Sequence, residues 1–233
     1  MEDNLKLNLN KVTIVSINGR DPENSAKAIK ISSEKINFYQ KIIITNKNLS
    51  YSDIEVIKID GLASLKDYNI FCIKEMYKYI DSEYCLFVQP DGFVVNPYLW
   101  TDFFYNYDYI GAPWGEHLTK DVLQKTNMQG DVKNIVGNGG FSLRSKKLLI
   151  ETSKIDYKNP ELEEDVIISV LHRKDLKQAG IKYAPVQIAQ QFSLESYINE
   201  KSILGNSFGF HGSTKYFPYF TEYEKLINEI NYV

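Results

Sequence analysis

The order of elements in the first ninety residues constrains the fold most. Lys11 to Ile17 (KVTIVSI) is a β-branched run that stops at Asn18-Gly19-Arg20-Asp21-Pro22. Asp21 then Pro22 reads as the N-cap and first position of a helix reaching about Phe38. Lys41–Thr45 (KIIIT) and Ile54–Ile59 (IEVIKI) read as strands. Asp67 to Ile80 carries Ile70, Phe71, Ile73, Lys74 and Tyr77 in a mostly helical pattern. Tyr84–Val88 (YCLFV) is another apolar strand, cut off by Gln89-Pro90-Asp91-Gly92. Strand, helix, strand, strand, helix, strand with short links predicts a largely parallel sheet covered by helices. Ligands of such sheets bind beyond the carboxyl ends of the strands, which directs attention to the NGRDP and QPDG loops.

From Phe93 onward the pattern is less regular. YDYIGAPWGEH (107 to 117) is a short strand entering a loop, and VGNGGFSLRS (136 to 145) leads into a helix over Ser145–Ser153. Asn159-Pro160-Glu161 ends a loop, and Glu163 to Gln178 reads as one helix with Val166, Ile167, Val170 and Leu171 on one face. FSLES, FGFHG and a closing helix from about Thr221 complete the chain. No repeat or linker divides it, so 1–233 is expected to be a single α/β domain. A net charge of −3 gives no positive field for nucleic acid or an anionic membrane. No apolar run is long enough to span a bilayer, and MEDNLKLNLNK lacks the apolar core of a signal peptide, so a cytoplasmic protein is expected. Cys72 and Cys85, the only cysteines, make neither a disulfide framework nor a zinc site and read as buried thiols.

Four clusters could carry chemistry, and each has a plainer reading. Asp91 could offer a carboxylate to a hard divalent cation, but Pro-Asp-Gly is also strong turn chemistry. Glu163-Glu164-Asp165 could hold a general base, or could simply complement a helix dipole. His211, between aromatics and glycines, could ligate a metal or be structural; His117, beside Trp114, could meet a substrate, whereas His172 lies mid-helix. Gly137, Gly139 and Gly140 crowd into five positions of a chain with 13 glycines in 233 residues. They could form a tight corner, or let a flat polar ligand lie on exposed backbone amides. The spacing fits neither a dinucleotide fingerprint nor a P-loop.

In this order the pieces resemble the glycosyltransferases of GT-A fold. FVQPDGFVVNPYLW, YDYIGAPW, VGNGGFSLRS and EEDVIIS together look more closely like a little-characterised family of small glycosyltransferase-like proteins, over roughly Leu65 to His211. The resemblance implies a Rossmann-like, mostly parallel central sheet flanked by helices. Asp91 corresponds to the last acid of the family's DxD motif, which holds a divalent metal, Mn2+ or Mg2+, on the donor diphosphate. His211 matches the late histidine that completes the metal shell. Gly137, Asn138, Gly139 and Gly140 match the glycine-rich loop beside donor sugar and acceptor. Asp165, with Glu164 before it, matches the xED motif, whose acid is the catalytic base of inverting members. Gln89 departs from the pattern: it stands where the first acid of DxD would be, binds metals only weakly, and suits a sugar hydroxyl.

The implied activity is metal-assisted, inverting transfer of a sugar from a nucleotide-sugar donor to a glycan or other hydroxyl acceptor. Sugar hydroxyls pressing on the loop backbone would explain its glycines. Trp114 could pack a sugar ring or belong to the core. Ser16, Asn18 and Asp60, at ends of early strands, are candidate nucleoside contacts on position alone. The competing readings are a non-catalytic carbohydrate- or nucleotide-sugar-binding module, which Gln89 favours, and a nucleotidyltransferase, which lacks its glycine-rich basic signature here.

Overall fold

A computed structural model describes residues 6–128, 134–156, 162–202 and 204–212. The loop end at Asn159-Pro160-Glu161 and the closing helix expected from about Thr221 lie outside the described residues. The first half follows the anticipated order: β1 (Leu7–Ile17), α1 (Pro22–Ser33), β2 (Ile36–Thr45), β3 (Glu55–Lys58), α2 (Leu65–Lys74) and β4 (Tyr84–Val88). These four strands are parallel, in the spatial order β3-β2-β1-β4. Val12 to Ile17 are all buried, as a central strand covered on both faces requires. Asp21 caps α1 by accepting from the Asn24 amide at 3.3 Å, and Ser64 and Asp67 form a capping box on α2.

The second half adds β5 (Tyr109–Ile110), β6 (Pro113–Trp114), α3 (Glu116–Lys125), β7 (Ile135–Val136), β8 (Phe141–Ser145) and α4 (Lys146–Ser153). Strand β8 pairs antiparallel with β4, and β5 antiparallel with β8, completing a six-stranded, mostly parallel sheet. Then come α5 (Glu164–Val166), α6 (Arg173–Gln178), α7 (Val186–Phe192), β9 (Ser193–Leu194) and β10 (Gly209–Phe210). Strands β9 and β10 form a small parallel pair. The rings of Phe141, Phe192 and Phe208, with centroids 5.3 to 6.1 Å apart, fasten that pair to the main sheet.

Three boundaries differ from expectation. Helix α1 stops at Ser33, because Ile36-Asn37-Phe38 pairs with Leu7-Asn8-Leu9 and so extends β2 backwards. The polar, alternating residues from Leu7 to Lys11 are thus the outer end of β1. Helix α2 tightens into a 3₁₀ turn over Met76–Tyr79. The stretch from Glu163 to Gln178 is interrupted by a π turn over Ile167–Leu171, where the His172 amide bonds to the Ile167 carbonyl five residues back.

Both cysteines are buried free thiols whose pKa is pushed up by burial, Cys85 to about 12. Among the described residues no helix is long and apolar enough to cross a membrane. The chain leaves β1 toward β2 on one side, while β4 lies on the other. The crevice beyond the carboxyl ends of β1 and β4 is therefore the topological switch point, where ligands of open α/β sheets bind.

Candidate active site

Strand β4 delivers Gln89 and Asp91 to that crevice. The Gln89 amide donates to the Gly140 carbonyl at 2.8 Å, and the Gly92 amide closes a turn onto the Gln89 carbonyl at 3.0 Å. From the far end of the chain, β9 and β10 run side by side in one direction, so Glu195 and His211 emerge next to each other. The His211 amide donates to the Leu194 carbonyl at 2.9 Å, and the Gly212 amide to the Asp91 carbonyl at 3.1 Å. His211 Nε2 lies 3.0 Å from Gln89 Oε1 and 3.3 Å from Asp91 Oδ1. On the opposite ring edge, Nδ1 lies 3.1 Å from Glu195 Oε1. Burial disfavours a charged His211, but Asp91 and Glu195 outweigh it and lift its pKa to about 10. Burial likewise works against the Asp91 charge, and His211 more than offsets it, holding Asp91 below the usual carboxylate range.

The glycine loop is the meeting point of these groups, and the structure changes the reason for its glycines. None of Gly137, Gly139 and Gly140 has a positive φ. A Cβ on Gly137 would overlap the Trp114 ring; on Gly139, Glu164 and Asp165; on Gly140, His211 and Gln89. The missing side chains thus make room for protein groups. Asn138 keeps its side chain for cross-linking: its amide donates to Glu195 Oε1 at 2.7 Å, and its carbonyl oxygen accepts from the Phe141 amide at 3.1 Å.

Arg144 lies beneath the loop, fully buried, with its guanidinium 4.7 Å from the Phe87 ring centre. It grips both oxygens of Glu164, at 2.8 and 3.1 Å, and the Gly139 carbonyl at 3.1 Å. Glu164, 3 % exposed, is consumed by that bidentate pair and is not available as a base. Its neighbour Asp165 is only partly buried and faces the loop, its Oδ2 accepting from the Gly139 amide at 2.9 Å. Burial, then the nearby charges of Glu164 and Glu195, push Asp165 up to about 7, against the opposing pull of the Gly139 amide and Arg144. That places a carboxylate with a histidine-like affinity for protons at the loop.

Gln89, Asp91 and His211 bring an amide oxygen, a carboxylate and an imidazole close together. Adjacent ligands of a six-coordinate Mg2+, with bonds of about 2.0–2.1 Å at right angles, stand about 3 Å apart. Gln89 Oε1 and Asp91 Oδ1 have that separation from His211 Nε2. A carboxylate on the other imidazole nitrogen, here Glu195, is the usual support of a metal-binding histidine. Among the described residues, no group of three His, Cys, Asp or Glu side chains is arranged to hold a metal. A metal at these three groups would have to displace the proton that Asp91 and Glu195 hold on His211.

The structure thus brings Gln89, Asp91, Asn138, Gly139, Gly140, Asp165 and His211 together. Trp114, 3 % exposed and packed on Gly137, is a core residue and offers no face to a ring. The Asn18 side chain holds its own turn, accepting from the Arg20 and Asp21 amides at 2.9 Å and donating to Ser25 at 3.0 Å. Asp60 is exposed in the turn after β3. Ser16 is fully buried, and its hydroxyl has no partner among the described residues. Sequence reasoning missed Arg144, Glu195 and Tyr68, whose hydroxyl accepts from the Gln89 amide nitrogen at 2.9 Å. The acid closing Phe-Ser-Leu-Glu, a short apolar strand followed by a carboxylate as in the β4 loop, is the one legible signal for Glu195.

A family model described as protein of unknown function (DUF5672) matches residues 52–211. No curated protein matches the sequence. Among solved structures, the chain is similar to the galactosyltransferase LgtC in complex with donor and acceptor sugar analogs. Identity is 14 %, the TM-score is 0.51, and the match covers 95 % of this chain and 97 % of that one. A structure of an active-site mutant of LgtC matches at 14 % identity and a TM-score of 0.50, over 94 % and 95 % of the two chains. The α/β architecture, with its central, mostly parallel sheet, is the GT-A glycosyltransferase fold.

Proposed function

The chain belongs to the DUF5672 family, and we propose that it is a nucleotide-sugar-dependent glycosyltransferase in which Asp165 is the catalytic base. The observation that carries this reading is the position and poise of Asp165: held at the loop by the Gly139 amide, with its pKa near 7, in the crevice that also holds Asp91 and His211. The acceptor oxygen would form its bond to the anomeric carbon as the bond from that carbon to the diphosphate oxygen breaks. The bonding electrons leave with the nucleoside diphosphate, and the acceptor proton passes to Asp165. One in-line displacement of this kind inverts the anomeric configuration. A divalent cation held by Asp91, His211 and Gln89 would neutralise the departing diphosphate. Tyr68 fixes the Gln89 amide so that its oxygen faces His211. Arg144 and Glu164 hold the loop floor, which keeps Asp165 aligned.

The test is Asp165→Asn, which keeps size and hydrogen bonding but not basicity. Turnover should fall about a hundredfold or more while nucleotide-sugar binding persists. The anomeric proton of the product, read by NMR, should show inversion. Near-native turnover in the variant would remove Asp165 from the reaction. A second reading, a nucleotide-sugar-binding module without turnover, is favoured by the neutral Gln89 in the first ligand position. It predicts donor binding with no hydrolysis or transfer in the wild type.

A further inference from the structure

A cleft of about 720 Å3 lies between α7, the segment 198–201, Asn134 and Asn206. Its lining has a chemical bias. Six of the ten described residues that line it end in a carboxamide: Asn134, Gln187, Gln190, Gln191, Asn199 and Asn206. Two more are aliphatic, and the two charges, on neighbouring residues 200 and 201, are opposite in sign. A carboxamide donates and accepts at once and carries no charge. Such a surface matches a ligand studded with hydroxyls, which are also donor and acceptor together. A phosphate or an amine would find no net countercharge here, and a lipid chain would leave the amides unpaired. The size suits a small oligosaccharide.

The cleft is held open from within. Gln190 donates to Asn199 Oδ1 at 3.0 Å and to Ser202 Oγ at 3.3 Å, while Ser202 Oγ accepts from the Ile198 and Asn199 amides at 2.9 and 3.2 Å. Gln190 is thereby the brace of one wall. Gln187 and Gln191, four residues apart on α7, are exposed on one face of that helix.

Asn134 precedes Gly137 by three residues, and Ile198 follows Glu195 by three. Three residues span at most about 11 Å, so two walls of the cleft begin within that distance of the loop and of Glu195. Between α7 and the site, two buried polar atoms have no partner among the described residues, Ser193 Oγ and Glu195 Oε2.

The geometry points to this cleft as a binding site for a neutral, hydroxyl-rich oligosaccharide. The assignment stands apart from the glycosyltransferase reading above, and the experiment separates the two. Side-chain amide resonances of the full chain are followed by NMR during titration with lactose, maltose and cellobiose. Glucose 6-phosphate and a serine-rich peptide serve as charged and peptidic controls. At least one disaccharide should shift the Gln187 and Gln191 signals, and the controls should not. In the triple variant Gln187→Ala, Gln191→Ala, Asn206→Ala, all exposed positions, affinity for that disaccharide should drop about tenfold or more. Melting temperature and acceptor-free donor hydrolysis should stay native. Resonances unmoved by every disaccharide, moved by the peptide alone, or a triple variant with unchanged disaccharide affinity would each overturn the assignment. Should the wild type neither bind nor hydrolyse any nucleotide sugar while lactose, maltose or cellobiose still shifts these amides, the cleft stands as an oligosaccharide site and the transferase reading falls.

Discussion

Two pairs of opposite charge flank the glycine loop, one under Gly139 and one against Gly140, and their surroundings differ. Arg144 and Glu164 are sealed, with side chains 0 % and 4 % exposed and both carboxylate oxygens occupied. Asp91 and His211 are open: the Asp91 side chain is 45 % exposed, and the supporting Glu195 keeps one oxygen without a partner among the described residues. Charge near a loop is therefore a poor guide to chemistry. Spare bonding capacity is the better one, because a fully satisfied group has nothing left to offer a substrate.

The comparison can be broken most directly at Arg144. Arg144→Met leaves Glu164 buried and unpaired, at an expected cost of ~3–5 kcal/mol. Adding Glu164→Leu should return most of that stability. Denaturant unfolding of the single and double variants measures both, and a single-variant loss near zero would show that the sealed pair is not scaffold. Glu195→Gln probes the open side. It keeps shape but withdraws the carboxylate behind His211, so Mn2+-dependent nucleotide-sugar affinity should weaken about 10–100-fold at nearly native melting temperature. Calorimetric titration with and without manganese reads this, and an unchanged manganese dependence would detach Glu195 from the ion.

The smallest effect concerns Asp165, which stands between the two pairs. Its folded-state pKa of about 7 lies above the ordinary 3.8, so the folded protein favours the protonated form. The resulting contribution to stability is complete below about pH 4 and is lost as pH rises through about 7. Asp165→Asn removes that slope. The variant should melt higher than wild type near pH 8, with the gap narrowing at pH 5 and closing toward pH 4; an equal gap at pH 8 and pH 4 would contradict the placement of Asp165.

What was legible in the sequence divides along the same line. Short-range signals identified the β-branched run of β1, the Asp-Pro start of α1 and the abrupt end of β4. The backward extension of β2 was not visible, because Ile36-Asn37-Phe38 becomes a strand only when Leu7-Asn8-Leu9 lies beside it. Within the crevice, Asp91, His211 and Asp165 were singled out through the motif resemblance. Glu164 and Asp165 could not be told apart, since what separates them is Arg144, twenty residues away in sequence and hidden at an alternating strand position. The glycines stood out in the sequence, but the bulk of Trp114, Asp165 and His211 against them is something no local pattern reveals.

The parallel pair β9 and β10 has two residues per strand, far too little to stand alone, yet it carries Glu195 and His211. His211 meets Gln89 across 122 positions of chain. Closing so long a loop carries an entropic cost that only a preformed partner surface can offset, so the central strands must be in place first. As the protein is synthesised from its amino terminus, the sheet and the Arg144–Glu164 pair can form while His211 has yet to emerge. The open half of the site is then the last part to be assembled, and a chain caught midway would have a body but no reactivity.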